Sequence, residues 1–162
     1  KGVTEIAKAT SAGAAVARLS LGRNRRIGDE AMVQLLGALK DVSLTSLDMS
    51  RTGCGVSTAS KLAELLSAET KFTAALNSVT LDSTGVPFVN WSDKEKRDAT
   101  GPRTYTLTTG DEKIDLSQKN LGPADVALVA AWLQRPEVSA VLNSVTVDSN
   151  TNNAFRLPLN KR

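Results

Sequence analysis

Five short phrases of one design recur along the chain, and two are nearly identical: LNSVTLDST at 76–84 and LNSVTVDSN at 142–150. The others are VARLSLGRN at 16–24, LTSLDMSRT at 44–52 and EKIDLSQKN at 112–120. Repetition at this scale means one structural unit stacked on copies of itself. Superposed on Leu19, Leu47, Val79, Ile114 and Val145, each phrase has a second apolar residue two places on, at Leu21, Met49, Leu81, Leu116 and Val147. The residues around them are polar or small. That alternation is the period of a strand with one buried face. Successive phrases lie 28, 32, 35 and 31 residues apart. Such gaps are too long for hairpins and suit a return path that makes the next strand parallel.

The return paths read as helices. Residues 28–41 place Met32, Leu35, Leu36 and Leu39 on one face, with acids in the first turn. Residues 57–71 do the same with Leu62, Leu65, Leu66 and then Phe72, and Ser57 or Thr58 is the expected cap. Residues 123–135 open on Pro123 and stop before Pro136, with Val126, Val129, Ala130 and Leu133 as the expected buried face. A fourth helix is expected over 4–17. Aromatic residues are only 4% of the chain, so the core must come from Leu, Val, Ile and Ala, which suit a regular stack.

Two motifs make the pattern specific. Val16, Leu19, Leu21 and Asn24 fit L-x-x-L-x-L-x-x-N, and Leu44, Leu47 and Met49 fit its first half. NRRIGDEAMVQLLGALK at 24–40 and IDLSQKNLG at 114–122 join strand to helix in the same way. On these residues the chain resembles leucine-rich-repeat proteins of the ribonuclease-inhibitor-like class, over 16–150. The resemblance implies an α/β fold: a right-handed leucine-rich-repeat solenoid with a parallel sheet on the concave side and helices on the convex side, broken by one β-like excursion. It implies a single domain over 1–162, with strands near 18–22, 46–50, 78–82, 113–117 and 144–148. An insert at 87–112 and a C-terminal cap at 151–162 complete it, and the whole is expected to be part of a longer chain. The family's turn-capping Asn aligns with Asn24 and Asn150 but is replaced by Thr52, Thr84 and Lys119, so an interrupted Asn ladder is expected.

Between 85 and 113 the helical pattern is missing. PFVNW (87–91) and TYTLTT (104–109) alternate like strands on either side of a charged, turn-rich 92–103. Trp91 and Tyr105 are the candidate anchors of this insert. At the C-terminus Phe155, Leu157 and Leu159 alternate, and Pro158 blocks further pairing.

Function is constrained mostly by exclusion. The chain has no histidine, which removes histidine-based acid–base, nucleophilic and metal arrangements. It carries no phosphate-loop or dinucleotide glycine motif. Enzymatic activity, a metal and a cofactor are therefore not expected. The single cysteine, Cys54, permits no internal disulfide and favours a reducing, cytoplasmic compartment; its expected role is that of a small buried hydrophobe. No apolar run is long enough to span a membrane. The net charge of +3 is too small to imply nucleic acid.

The outward strand positions are rich in hydroxyls and carboxylates. Asp48, Asp82, Asp115 and Asp148, with Lys113, Thr80 and Thr146, form the candidate partner-binding strip, suited to a basic or polar protein. Asp48 and Asp115 are expected in one row, Asp82 and Asp148 in the next. Arg18, Arg23, Arg25 and Arg26 form a candidate anion-binding cluster around the first strand-to-helix turn. The leading expectation is a protein-binding scaffold. One alternative is a regulatory subunit acting on a GTPase or other nucleotide enzyme, for which Arg23 and Asn24 would matter; another is a structural segment of a larger repeat array.

Overall fold

Apolar residues spaced by two and by three to four alternate along the chain, and the backbone alternates with them. The computed structural model describes residues 2–11, 16–85 and 101–147. Its elements are α1 (Gly2–Ser11), β1 (Arg18–Ser20), α2 (Gly28–Leu39), β2 (Ser46–Asp48), α3 (Val56–Leu66), α4 (Lys71–Ala75) and β3 (Ser78–Asp82). There follow β4 (Thr104–Thr108), β5 (Lys113–Asp115), α5 (Pro123–Leu133), α6 (Pro136–Ser139) and β6 (Ser144–Thr146). Residues 148–162, including Asp148 and the expected cap at 151–162, and Trp91 lie outside the described residues.

The phrases pair laterally at the residues on which they superpose. Leu19 lies opposite Leu47, Leu47 opposite Val79, and Ile114 opposite Val145, each in a parallel pair. The same small device repeats just before each strand. The carbonyl of Ala17 accepts from the amides of Thr45 and Ser46, that of Thr45 from Asn77 and Ser78, and that of Glu112 from Asn143 and Ser144. Leu47 and Val79 point into the core, joined by Leu21, Met49 and Leu81 two places on. The helices cover that side: α1 packs on α2, α2 on α3, and α3 on α5.

One parallel sheet running through all five phrases is not what forms. The strand order is β1-β2-β3-β4, and β4 runs antiparallel to β3; β5 and β6 make a separate two-stranded sheet. The segment 104–109 was expected in an excursion standing in for a helix, but 104–108 is a full member of the sheet. Its alternating Thr, Tyr and Leu residues have strand propensity and can bury one face. Tyr105 and Leu107 go inward, opposite Leu81 and Val79. The edge of β3 is thereby taken, and the next parallel strand cannot pair there. The helical layer closes over this step, because α3, which follows β2, packs directly on α5, which follows β5.

Two helices also differ from their sequence patterns. The stretch 57–71 divides into α3 and the short α4, and neither Ser57 nor Thr58 caps it: the N-cap is Gly55, without a side-chain cap of its own. In α5 the expected face of Val126, Val129, Ala130 and Leu133 holds only in part: Val129 is buried, while Val126 and Leu133 are half-buried. The buried residues are Ala124, Asp125, Leu128, Val129, Ala131 and Trp132, and Ala130 is exposed. The helix is apolar nearly all round, so periodicity alone does not select a face, and bulky Trp132 decides it.

Candidate functional site

Each strand must turn sharply to enter the helical layer, and the turns share one backbone solution. The residue four places after the superposed position is left-handed in three units: Arg23 (φ 68), Arg51 (φ 55) and Gln118 (φ 56). That conformation costs an ordinary side chain about 1 kcal/mol or more, so its recurrence marks a shared loop design. The next residue then ties the turn back to its strand. Asn24 Nδ2 donates to the carbonyl of Leu21 at 2.8 Å, and Thr52 Oγ1 donates to the equivalent carbonyl of Met49 at 2.6 Å. Thr thus replaces the Asn functionally at this turn. At Thr84 the pattern breaks, because its amide and hydroxyl donate to Asp125 Oδ2 instead, each at 2.7 Å.

Two carboxylates knit neighbouring units. Asp29, in the first turn of α2, reaches across to the start of α3. It accepts from the amides of Gly55 (2.9 Å), Ser57 (3.0 Å) and Thr58 (2.8 Å), and from the Thr58 hydroxyl. This is the cap that α3 lacks in its own sequence. Burial pushes the Asp29 carboxyl up, but the hydrogen bonds from Thr58, Gly55 and Ser57 outweigh it and bring it down to about 2. Asp125, fully buried, accepts four hydrogen bonds: two from Thr84, one from the Gly122 amide at 2.7 Å and one from the Tyr105 hydroxyl at 2.8 Å. Burial first, then the charge and hydrogen bond of Asp125, hold the Tyr105 hydroxyl well above its ordinary range.

On the sheet face, the carboxylates are spaced by hydroxyls. Asp48 accepts from Ser20 Oγ at 3.2 Å and from the Ser50 amide at 2.9 Å. Asp82 accepts from Thr104 Oγ1 at 2.6 Å and from the Arg51 amide at 2.8 Å. Thr80 and Thr106 share a hydroxyl–hydroxyl bond of 2.9 Å. Asp115 is exposed on β5 opposite Thr146, with Lys113 two places before it. Hydrogen bonds from Ser117 lower its carboxyl. Asp48 and Asp82 therefore share one sheet, while Asp115 belongs to the other; the expected common row of Asp48 and Asp115 is interrupted by β4.

Arg23, Arg25 and Arg26 come together along a cleft of about 960 Å³ at the start of α2. Arg18 stands apart from it, exposed on β1 opposite Ser46. A second cavity, of about 720 Å³, opens at the loop rim between Arg25, Arg51, Arg103 and Lys119, with Asp82 and Thr104 in its wall. Arg51, Arg103 and Lys119 were not among the expected site residues. For Arg51 the signal was present, since it holds the loop position of Arg23; nothing comparable marks Arg103, which the antiparallel β4 brings in. Cys54 is half-buried, with its sulfur 2.7 Å from Thr52 Oγ1, and burial chiefly raises its thiol.

No protein-family model, curated protein or solved structure matches the chain. Among the described residues, no group of His, Cys, Asp and Glu is arranged to hold a metal ion. Among them also, no helix is long and apolar enough to cross a membrane.

Proposed function

We propose that the chain is a protein-binding scaffold of leucine-rich-repeat type, a right-handed α/β solenoid segment that engages its partner through the sheet face opposite the helices. The observation that carries this reading is the lateral row Ser20, Asp48, Thr80 and Thr106. These side chains are partly or fully exposed, while their neighbours along each strand pack under the helices. A sheet face held by ladder bonds on one side and a helical layer on the other loses little conformational freedom on binding. Its carboxylates are oriented by hydroxyl and amide donors, so they present fixed negative charge to a partner carrying basic side chains.

The test is a variant in which Asp48, Asp82, Asp115 and Asp148 are all replaced by Asn. A partner retained by the natural protein should be released by the variant, which should still unfold in one cooperative transition although it loses hydrogen bonds at Asp48 and Asp82. Equal retention of that partner by both proteins would contradict binding through this face.

A further inference from the structure

The cavity between Arg25, Arg51, Arg103 and Lys119 concentrates positive charge. Four basic side chains and one carboxylate line it, a surplus of three positive charges, which equals the surplus of the whole chain. In the remaining sequence acids and bases are equal in number. The one carboxylate, Asp82, spends its oxygens on the wall itself: one holds the Arg51 amide and the other the Thr104 hydroxyl. Among the described residues, none of the four cations is ion-paired.

The walls are also built rather than merely adjacent. Gly53, at φ +77, lets the second loop lie against the first, since a Cβ there would stand 2.8 Å from the Arg25 carbonyl oxygen. Arg51 is held in a left-handed conformation by the Asp82 bond to its amide. The four cations arrive from four separate stretches of chain: the turns after β1, β2 and β5, and the lead into β4. A volume of about 720 Å³ suits a small ligand rather than a helix or strand of a partner. No aromatic side chain is among its described lining residues, so nothing there would stack on a nucleobase. Three guanidinium forks and an ammonium match phosphate oxygens in geometry and charge.

We infer that this cavity binds a compact anion carrying several phosphate groups, of the inositol-polyphosphate or polyphosphate class, either free or as a lipid headgroup. This binding needs no protein partner, so it stands or falls separately from the sheet-face reading. Calorimetric titration with inositol hexakisphosphate, alongside flotation with vesicles containing phosphatidylinositol bisphosphate or only phosphatidylserine, tests it. The variant pair is Arg51→Gln with Arg103→Gln. Gln already occupies the same left-handed loop position as Gln118, so the backbone at Arg51 is preserved. The expected result is saturable binding that weakens at least about tenfold in the double variant, while Arg18→Gln, outside the cavity, changes it less than about twofold. Binding of the soluble probe assigns a free ligand, and binding only to the bisphosphate vesicles assigns a headgroup. If the double variant fails to fold, Lys119→Gln is judged by the same criterion. No binding to either probe, equal binding to phosphatidylserine vesicles, or an equal loss with Arg18→Gln would overturn the proposal.

Discussion

At the scale of single residues, much of the specificity of this fold lies in a few polar side chains that join one unit to the next. Asp29 is the clearest case, because one carboxylate satisfies three amides at the start of a helix in the following unit. Replacing it by Ala should cost about 1–2 kcal/mol, as losing a helix cap does, read as a lower midpoint in urea denaturation. Its lowered pKa also sets a sign. The stabilisation is present above the unfolded carboxyl value near 4 and is lost as pH falls towards about 2. Acid titration of stability should therefore be shallower in Asp29→Asn than in the natural protein. Tyr105→Phe removes the hydroxyl that donates to buried Asp125, and an order of 2 kcal/mol is expected from equilibrium unfolding. Because the Tyr105 pKa is raised, its contribution persists below about pH 10 and declines above it. Arg135 is a third such residue. Buried at 4% exposure, it stacks 4.4 Å from the Trp132 ring centre, donates to the carbonyls of Thr73 and Leu76, and pairs with Glu137. Arg135→Ala should lower stability by about 3 kcal/mol, and Arg135→Lys should recover little of it, since an ammonium cannot reproduce the planar fork.

At the scale of elements, the sequence was most readable where an apolar pattern had only one solution. Met32, Leu35, Leu36 and Leu39 lie on the buried face of α2 because its other positions, Val33 apart, are polar or small. In α5 that contrast is missing, and of the four expected residues only Val129 is buried. Strand register was readable for a related reason: alternation fixes which residues face inward, and a one-residue slip would expose them, although Val145 on β6 is itself exposed. Caps were less accessible. The partner of the α3 amides lies 26–29 residues earlier in the chain, and no local window contains it. The loop rim was legible in part, through the equivalence of Arg23 and Arg51. Arg103 could not be placed without knowing how β4 returns.

At the scale of the whole molecule, the repeated phrases describe strands well and their succession less well. The two copies of L-N-S-V-T have the same local structure as strands, yet Val79 has neighbours on both sides, Leu47 and Leu107, while Val145 pairs with Ile114. What separates them is β4, whose arrival on β3 is a long-range event that no phrase encodes. This strand interrupts the parallel ladder, moves Asp115 to a second sheet, and carries Arg103 and Thr104 to the rim beside Asp82. The arrangement of both candidate surfaces depends on it.

Cross-strand proton contacts in the NMR spectrum measure that placement directly. The amide bonds at Thr109 and Ser83 make the intervening alternate pairs non-hydrogen-bonded, where opposed Hα atoms approach most closely. Strong Hα–Hα cross-peaks are expected between Ser78 and Thr108, Thr80 and Thr106, and Asp82 and Thr104. Their absence, with contacts instead linking β3 to β5 in a parallel pattern, would contradict the interrupted sheet.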